Sequence, residues 1–187
     1  DYMFVQNKNI GKLYNKYIKG RIIPYGNVRS NFHKIEKIKK KYDLIYISSG
    51  NYFLDENYLF SNIPRKEVVK NEIVLIKSLK KFCQKNKNKL LILGKDHNSG
   101  PEEDFYNDIL GDLKFKFIKR TKKRKTYKII DNCKLIVGME STLIYEAFSR
   151  GAKTFFCGFR FQNKFNISSD KFLWPKNYLT LFFYIYA

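Results

Sequence analysis

Short apolar runs alternate with amphipathic stretches along most of the chain. Residues 44–48 form such a run and predict a buried strand, because short apolar runs bounded by turn residues are typical of parallel sheets. Four further runs predict strands at residues 89–93, 115–118, 134–137 and 154–157. The stretches between them have helical spacing. The pattern therefore predicts an α/β fold with a doubly wound parallel sheet.

The intervening helices have recognisable ends. Residues 61–64, Ser-Asn-Ile-Pro, predict the start of a helix that continues to Asn86. Its predicted buried face consists of Ile73, Ile76, Leu79, Phe82 and Cys83. A second helix is predicted over 100–111, with Pro and three carboxylates in its first turn and Gly111 at its end. Two more are predicted at 127–132 and 141–150.

The first part of the chain is predicted to form a separate unit. A strand at 2–5, a helix at 10–19 and a strand at 21–25 precede the charged stretch 34–41. We interpret residues 1–35 as the end of a preceding domain with its linker, and 36–187 as the main domain. The chain begins without an initiator Met and ends in an apolar stretch too short to span a bilayer, so we expect a truncated protein.

The net charge of +20 has two interpretations that the sequence leaves open. Most of the excess is Lys spread along the chain, which is typical of a biased composition, but a basic surface also attracts anionic partners. The densest run, Lys114 to Lys128, either contacts an anionic membrane or is a solvated connection. Three Cys residues without C-x-x-C spacing, and only two His, predict no zinc site and a reducing cytoplasm.

The phosphate-binding motifs G-x-G-x-x-G and G-x-x-x-x-G-K-[ST] are absent, so the candidate chemistry lies in the turn after the strand at 134–137. We expect Gly138 to let the backbone turn tightly, and Ser141 and Thr142 to face a diphosphate at the start of the next helix. Glu146, one turn later, could accept both ribose hydroxyls. The alternative is an ordinary N-cap at Ser141 or Thr142 and a solvated Glu146.

The stretch from Tyr127 to Lys153 contains Y-x-x-I-D, V-G-x-x-S-T and E-A-x-x-R-G in succession. It resembles the donor-site segment of GT-B glycosyltransferases and is most similar to a family of bacterial surface carbohydrate (O-antigen or capsule) biosynthesis proteins. The resemblance implies a Rossmann-like donor domain, with Ser141 and Thr142 at the donor phosphates and Glu146 at the ribose. Residues 42–50 resemble the family's opening strand, whose end faces the phosphates.

The resemblance implies transfer of a sugar from a nucleotide sugar to a lipid-linked or polysaccharide acceptor, without metal or other cofactor. We expect the protein to be cytoplasmic, peripheral on the inner membrane face, and inactive alone because most of the acceptor domain is missing. The expected donor-binding residues are Ser49, Gly50, Lys95, Gly138, Glu140, Ser141, Thr142 and Glu146. Lys95 is alternatively a surface lysine, and His97 in the same loop is either an acid-base group or inert.

Two rival functions remain open. A hydrolysing sugar-nucleotide epimerase would share the same donor site. A nucleic-acid-binding protein would use the positive charge together with Tyr and Phe side chains, but these fall mainly in apolar runs, and we expect no nucleic-acid partner.

Overall fold

The computed structural model describes residues 1–5, 8–26, 31–35, 40–50, 59–60, 63–95, 99–120, 123–139 and 141–157. The predicted site residues His97 and Glu140, the helix-start signal at 61–62 and the tail beyond 157 lie outside the described residues. The elements in chain order are β1 (Tyr2–Val5), α1 (Lys8–Tyr14), β2 (Arg21–Pro24), β3 (Tyr42–Ile47), β4 (Leu59–Phe60), β5 (Ile63–Pro64), α2 (Arg65–Asn86), β6 (Leu90–Leu93), α3 (Ser99–Leu110), β7 (Phe115–Ile118), α4 (Lys123–Asp131), β8 (Cys133–Gly138), α5 (Thr142–Ser149) and β9 (Thr154–Phe156).

Five of these strands form one parallel sheet in the order β7-β6-β3-β8-β9. They are the five strands that the apolar runs predict, with ends shifted by at most two residues. The chain builds outward from the central β3 through β6 to β7, and then crosses to β8 and β9 on the other side. The predicted α/β class with a doubly wound sheet is confirmed.

Helices cover both faces of this sheet. On one face, α2 and α3 pack on the even-numbered side chains of β3 and β6. On the other face, α4 and α5 pack on the odd-numbered side chains of the same strands. Because all of β6 and residues 44–47 of β3 are buried on both sides, continuous apolar runs rather than alternating ones specify these two strands, whereas the edge strand β7 exposes Lys116.

The predicted buried face of α2 is wrong at two of its five positions. Ile73 is only half-buried and Phe82 is 42% exposed, while Glu72 is fully buried. Helical spacing alone predicts that Ile73 rather than Glu72 is buried, because a carboxylate is unexpected in a core unless polar partners surround it. Those partners are two tyrosine hydroxyls, described below.

The N-terminal strands belong to a different sheet from the five-stranded one. β1 and β2 pair in parallel as a separate two-stranded sheet joined through α1, which ends at Tyr14 rather than at Lys19 as predicted. The division into domains at residue 35 stays a prediction. The structure also differs from prediction in adding the short antiparallel pair of β4 with β5, and in starting α4 at Lys123 rather than at Tyr127.

Candidate functional site

The carboxyl ends of the parallel strands meet at one edge of the sheet. Ile47 at the end of β3 pairs with Leu93 of β6 and with Gly138 of β8. The strand order reverses between β3 and β8, because the connection from β3 leads to one side and the chain later returns on the other. Doubly wound sheets bind ligands in the crevice at this reversal. The turns after β3 and β8, where sequence reasoning places the donor site, therefore flank it.

The turn after β3 is tightly organised. The Gly50 backbone N–H donates to the buried Ser48 hydroxyl at 3.0 Å. Gly50 has a φ of 66°, in the left-handed region that favours glycine, so this predicted site residue has a backbone reason to be Gly. The Ser49 hydroxyl is buried without a hydrogen-bond partner in the described part of the chain. This turn thus leaves one hydroxyl unsatisfied at the edge of the crevice.

Gly138 does not act as a tight turn, which corrects the sequence-based expectation. It is the last residue of β8, and its φ is not positive. A Cβ at this position would lie 3.3 Å from Ile144 Cδ1 and 3.4 Å from the Ile47 carbonyl oxygen. Glycine is therefore favoured because α5 and β3 approach β8 closely.

Ser141 and Thr142 lie at the start of α5 but differ in environment. Ser141 occupies the N-cap position with φ −89° and ψ 133°, yet its hydroxyl makes no capping hydrogen bond. Its Oγ instead accepts a hydrogen bond from the Arg120 guanidinium at 3.2 Å. The Thr142 side chain is exposed. Neither hydroxyl satisfies the first amides of α5, where the helix dipole favours an anion.

Glu146 is not the solvated helix residue of the alternative interpretation, since it is only 9% exposed. The Tyr127 hydroxyl donates to its Oε2 at 2.9 Å, which links α4 to α5. A carboxylate held in one orientation by a buried phenol is well suited to accept ligand hydroxyls. Its role at a ribose stays a prediction.

Lys95 lies at the same edge, in the turn after β6. Its ammonium donates to the Ser49 carbonyl at 2.9 Å, and its backbone N–H donates to both carboxylate oxygens of the buried Glu102 at 3.0 Å. The structure thus brings Lys95 next to Ser49, as the prediction of a shared site requires.

These features agree with one comparison with known proteins. A family model described as "putative O-antigen biosynthesis protein" matches residues 1–181. The chain belongs to this family. Membership supports a role in the synthesis of surface polysaccharide. A search of curated proteins gave no match.

Two other residues of the segment 127–153 brace the fold internally. Arg150 and Asp131 form a buried pair in which two guanidinium nitrogens donate to the two carboxylate oxygens. The same guanidinium donates to the backbone carbonyl of His33 at 2.8 Å and lies 4.7 Å from the ring centre of Tyr127. His33 in turn packs on Tyr127, with ring centroids 4.9 Å apart. This cluster attaches the predicted linker to α4 and α5.

Sequence reasoning missed a buried polar network behind the turn after β3. The Tyr46 and Tyr106 hydroxyls donate to the same Oε1 of Glu72, at 2.7 and 2.9 Å. The Tyr106 and Ser48 hydroxyls are hydrogen-bonded at 2.8 Å. Burial, with the nearby Glu72 charge adding to it, raises the pKa of both phenols well above their usual value. The network connects α2 and α3 to Ser48 and so holds the turn in place.

Sequence reasoning also missed Arg120, which it grouped with the surface cations of the basic run. Arg120 follows β7 by two residues and is largely buried at the carboxyl edge. Its guanidinium donates to the carbonyl of Ser48 and to Ser141 Oγ. Position was the available signal, since residues just after parallel strands lie at the ligand-binding edge.

The described residues contain no group of three or more His, Cys, Asp or Glu side chains placed to hold a metal ion. Within the same part of the chain, no helix combines the length and apolarity needed to cross a membrane.

Proposed function

We propose that this chain contains the nucleotide-sugar-binding domain of a GT-B-type glycosyltransferase that builds surface polysaccharide. The observation that carries the proposal is that the Ser49-Gly50 turn after β3, Ser141 after β8 and Lys95 after β6 lie at the same carboxyl edge of the sheet, where the Lys95 ammonium donates to the Ser49 carbonyl. Family membership in O-antigen biosynthesis agrees with it, since such polysaccharides are assembled by glycosyl transfer.

The site offers electrostatic stabilisation to a leaving nucleoside diphosphate. In glycosyl transfer the bond between the sugar C1 and the diphosphate oxygen breaks, and an acceptor oxygen forms a new bond to C1. Negative charge develops on the diphosphate, where the amides at the start of α5 and the Ser141 hydroxyl would face it. The acceptor hydroxyl loses its proton to a base that we expect from the acceptor domain.

Glu146 supplies the test of the nucleoside side of the site. Glu146→Gln should weaken binding of whichever of UDP, GDP, CDP or CMP binds by about 1 to 3 kcal/mol, because Gln accepts ribose hydroxyls less well than a carboxylate. Isothermal titration calorimetry measures this loss. Glu103→Gln is the matched control, since Glu103 is an exposed carboxylate on α3. Equal affinities for the parent and Glu146→Gln would remove Glu146 from the site.

Turnover separates the proposed activity from its rivals. A longer protein that includes the acceptor domain should transfer radiolabelled sugar to a lipid-linked acceptor, whereas residues 1–187 alone should bind donor without multiple turnovers. Release of an epimerised free sugar without a glycoside product would instead identify the epimerase. Robust multiple turnover by residues 1–187 would contradict the division of labour between two domains.

A further inference from the structure

The Arg120 side chain crosses the carboxyl edge of the sheet. Arg120 follows the edge strand β7, yet it donates to the Ser48 carbonyl beyond β3 and to the Ser141 hydroxyl beyond β8. Two strands, β6 and β3, lie between β7 and β8 in the sheet. The guanidinium therefore lies at the crevice where the strand order reverses, beside the first turn of α5.

The Arg120 guanidinium has no ion-pair partner among the described residues. Its Nε is buried and has no hydrogen-bond partner in that part of the chain. Burial lowers the pKa of Arg120, and this effect exceeds the opposing effects of Glu102, Tyr106 and Glu146, which lie near it. Arg150 in the same domain shows the contrast, because its two-nitrogen pairing with Asp131 raises its pKa.

A partly buried cation without a paired carboxylate carries a desolvation cost, and an anion that binds beside it offsets that cost. The flat guanidinium presents several N–H donors that match phosphate oxygens two at a time. The first amides of α5 add a positive potential on the other side of Ser141. The same place thus combines a cation without an ion-pair partner, a helix start without a side-chain cap and the unsatisfied Ser49 hydroxyl.

We infer that Arg120 binds the phosphate groups of a nucleoside diphosphate, as the main cation of the donor site. This inference rests on the proposed function and adds to it the residue that neutralises the leaving group. A lipid-linked diphosphate would offer the same phosphate chemistry without the nucleoside.

The test compares Arg120→Met and Arg120→Lys with Lys119→Met, which removes the exposed neighbouring cation. Binding of UDP, GDP and CDP and of the matching free nucleosides to the 187-residue chain is measured by calorimetry and ligand-observed NMR. Arg120→Met should weaken the nucleoside diphosphate by about 10- to 100-fold and leave the nucleoside within about twofold. Lys119→Met should change neither, and Arg120→Lys should fall between the parent and Arg120→Met.

Parent-like diphosphate affinity in Arg120→Met would overturn the inference, as would equal losses for nucleoside and diphosphate. If Arg120→Met does not fold, Arg120→Lys decides, and parent-like diphosphate affinity in that variant overturns the inference. If the parent binds no nucleoside diphosphate, the proposed function fails and pyrophosphate tests the anion site separately. If pyrophosphate raises the thermal midpoint of the parent but not that of Arg120→Lys, Arg120 binds phosphate groups from a ligand other than a nucleoside diphosphate. If pyrophosphate raises neither midpoint, the inference about Arg120 is overturned.

Discussion

Replacement of Arg150 by Met tests whether the motif residues Asp131 and Arg150 brace the fold or bind donor. The Arg150 and Asp131 side chains are 2% and 5% exposed and form hydrogen bonds through two nitrogens and two oxygens. Met fills much of the same volume but leaves the Asp131 carboxylate buried without the guanidinium. Loss of one partner of a buried pair costs about 3 to 5 kcal/mol. The total free energy of unfolding of a domain is about 5 to 15 kcal/mol, so the loss is large.

Urea denaturation followed by far-UV circular dichroism measures the loss. The matched control is Lys134→Met, which breaks the Lys134–Asp43 pair at 2.7 Å, where the Lys134 side chain is 64% exposed. That change should cost no more than about 1 kcal/mol. The double variant Arg150→Met with Asp131→Asn should be less destabilised than the sum of its single variants, because no buried charge is left alone.

Arg150 also holds the predicted linker through the His33 and Lys34 carbonyls. Hydrogen exchange at residues 31–35 should therefore quicken in Arg150→Met, while nucleotide affinity of the folded variant stays within about twofold of the parent. A destabilisation of less than about 1 kcal/mol, the level of an exposed pair, would refute the bracing role. A selective loss of nucleotide affinity with parent-like stability would assign Arg150 to the donor site instead.

Three further predictions concern buried groups and the basic run. Because burial raises the pKa of Tyr46 and Tyr106, their un-ionised form stabilises the fold fully below pH about 10, and this contribution is lost as the pH rises further. Absorbance at 295 nm should show both ionising only as the chain unfolds. Burial raises the pKa of Cys133 to about 11 and of Cys157 to about 12, so a disulfide reagent at pH 8 should label them slowly unless urea is added. Neutralising the four cations at 122–125 should abolish salt-sensitive co-sedimentation with anionic vesicles, at about 1 kcal/mol per cation, without changing nucleotide affinity. Equal binding of the parent and the fourfold variant to anionic vesicles at low salt would contradict a membrane role and indicate that the basic run reflects the chain's composition.

The positions of the strands were predictable because both faces of the sheet are covered. The continuous apolar run Leu90–Leu93 then coincides with a strand, and helices end near Gly111 and Gly151, which adopt positive φ. The strand order was not predictable from these runs, since it depends on which strand edges pair across the sheet. The buried face of α2 was mispredicted for a related reason. Glu72 is accommodated by Tyr46 and Tyr106 from other elements, and spacing along one helix contains no information about them.

Patterns local to one stretch of sequence also predicted one part of the candidate site, and the part that depends on contacts between distant elements was missed. Ser141 and Glu146 follow a recognisable strand-turn-helix pattern, so local sequence was enough to propose them. Arg120 comes from a run in which nearly every neighbour is also basic, so composition concealed it. Its distinguishing property is that the edge strand β7 ends two residues earlier at the same sheet edge as β3 and β8. From the end of β7 the Arg120 guanidinium extends across two strands to the crevice. The neighbouring Lys119 carries the same charge but is exposed, so charge alone does not identify the site residue. Among the described residues of the basic run, Arg120 is therefore distinguished by its position at the crevice and by its buried Nε without a hydrogen-bond partner rather than by its charge.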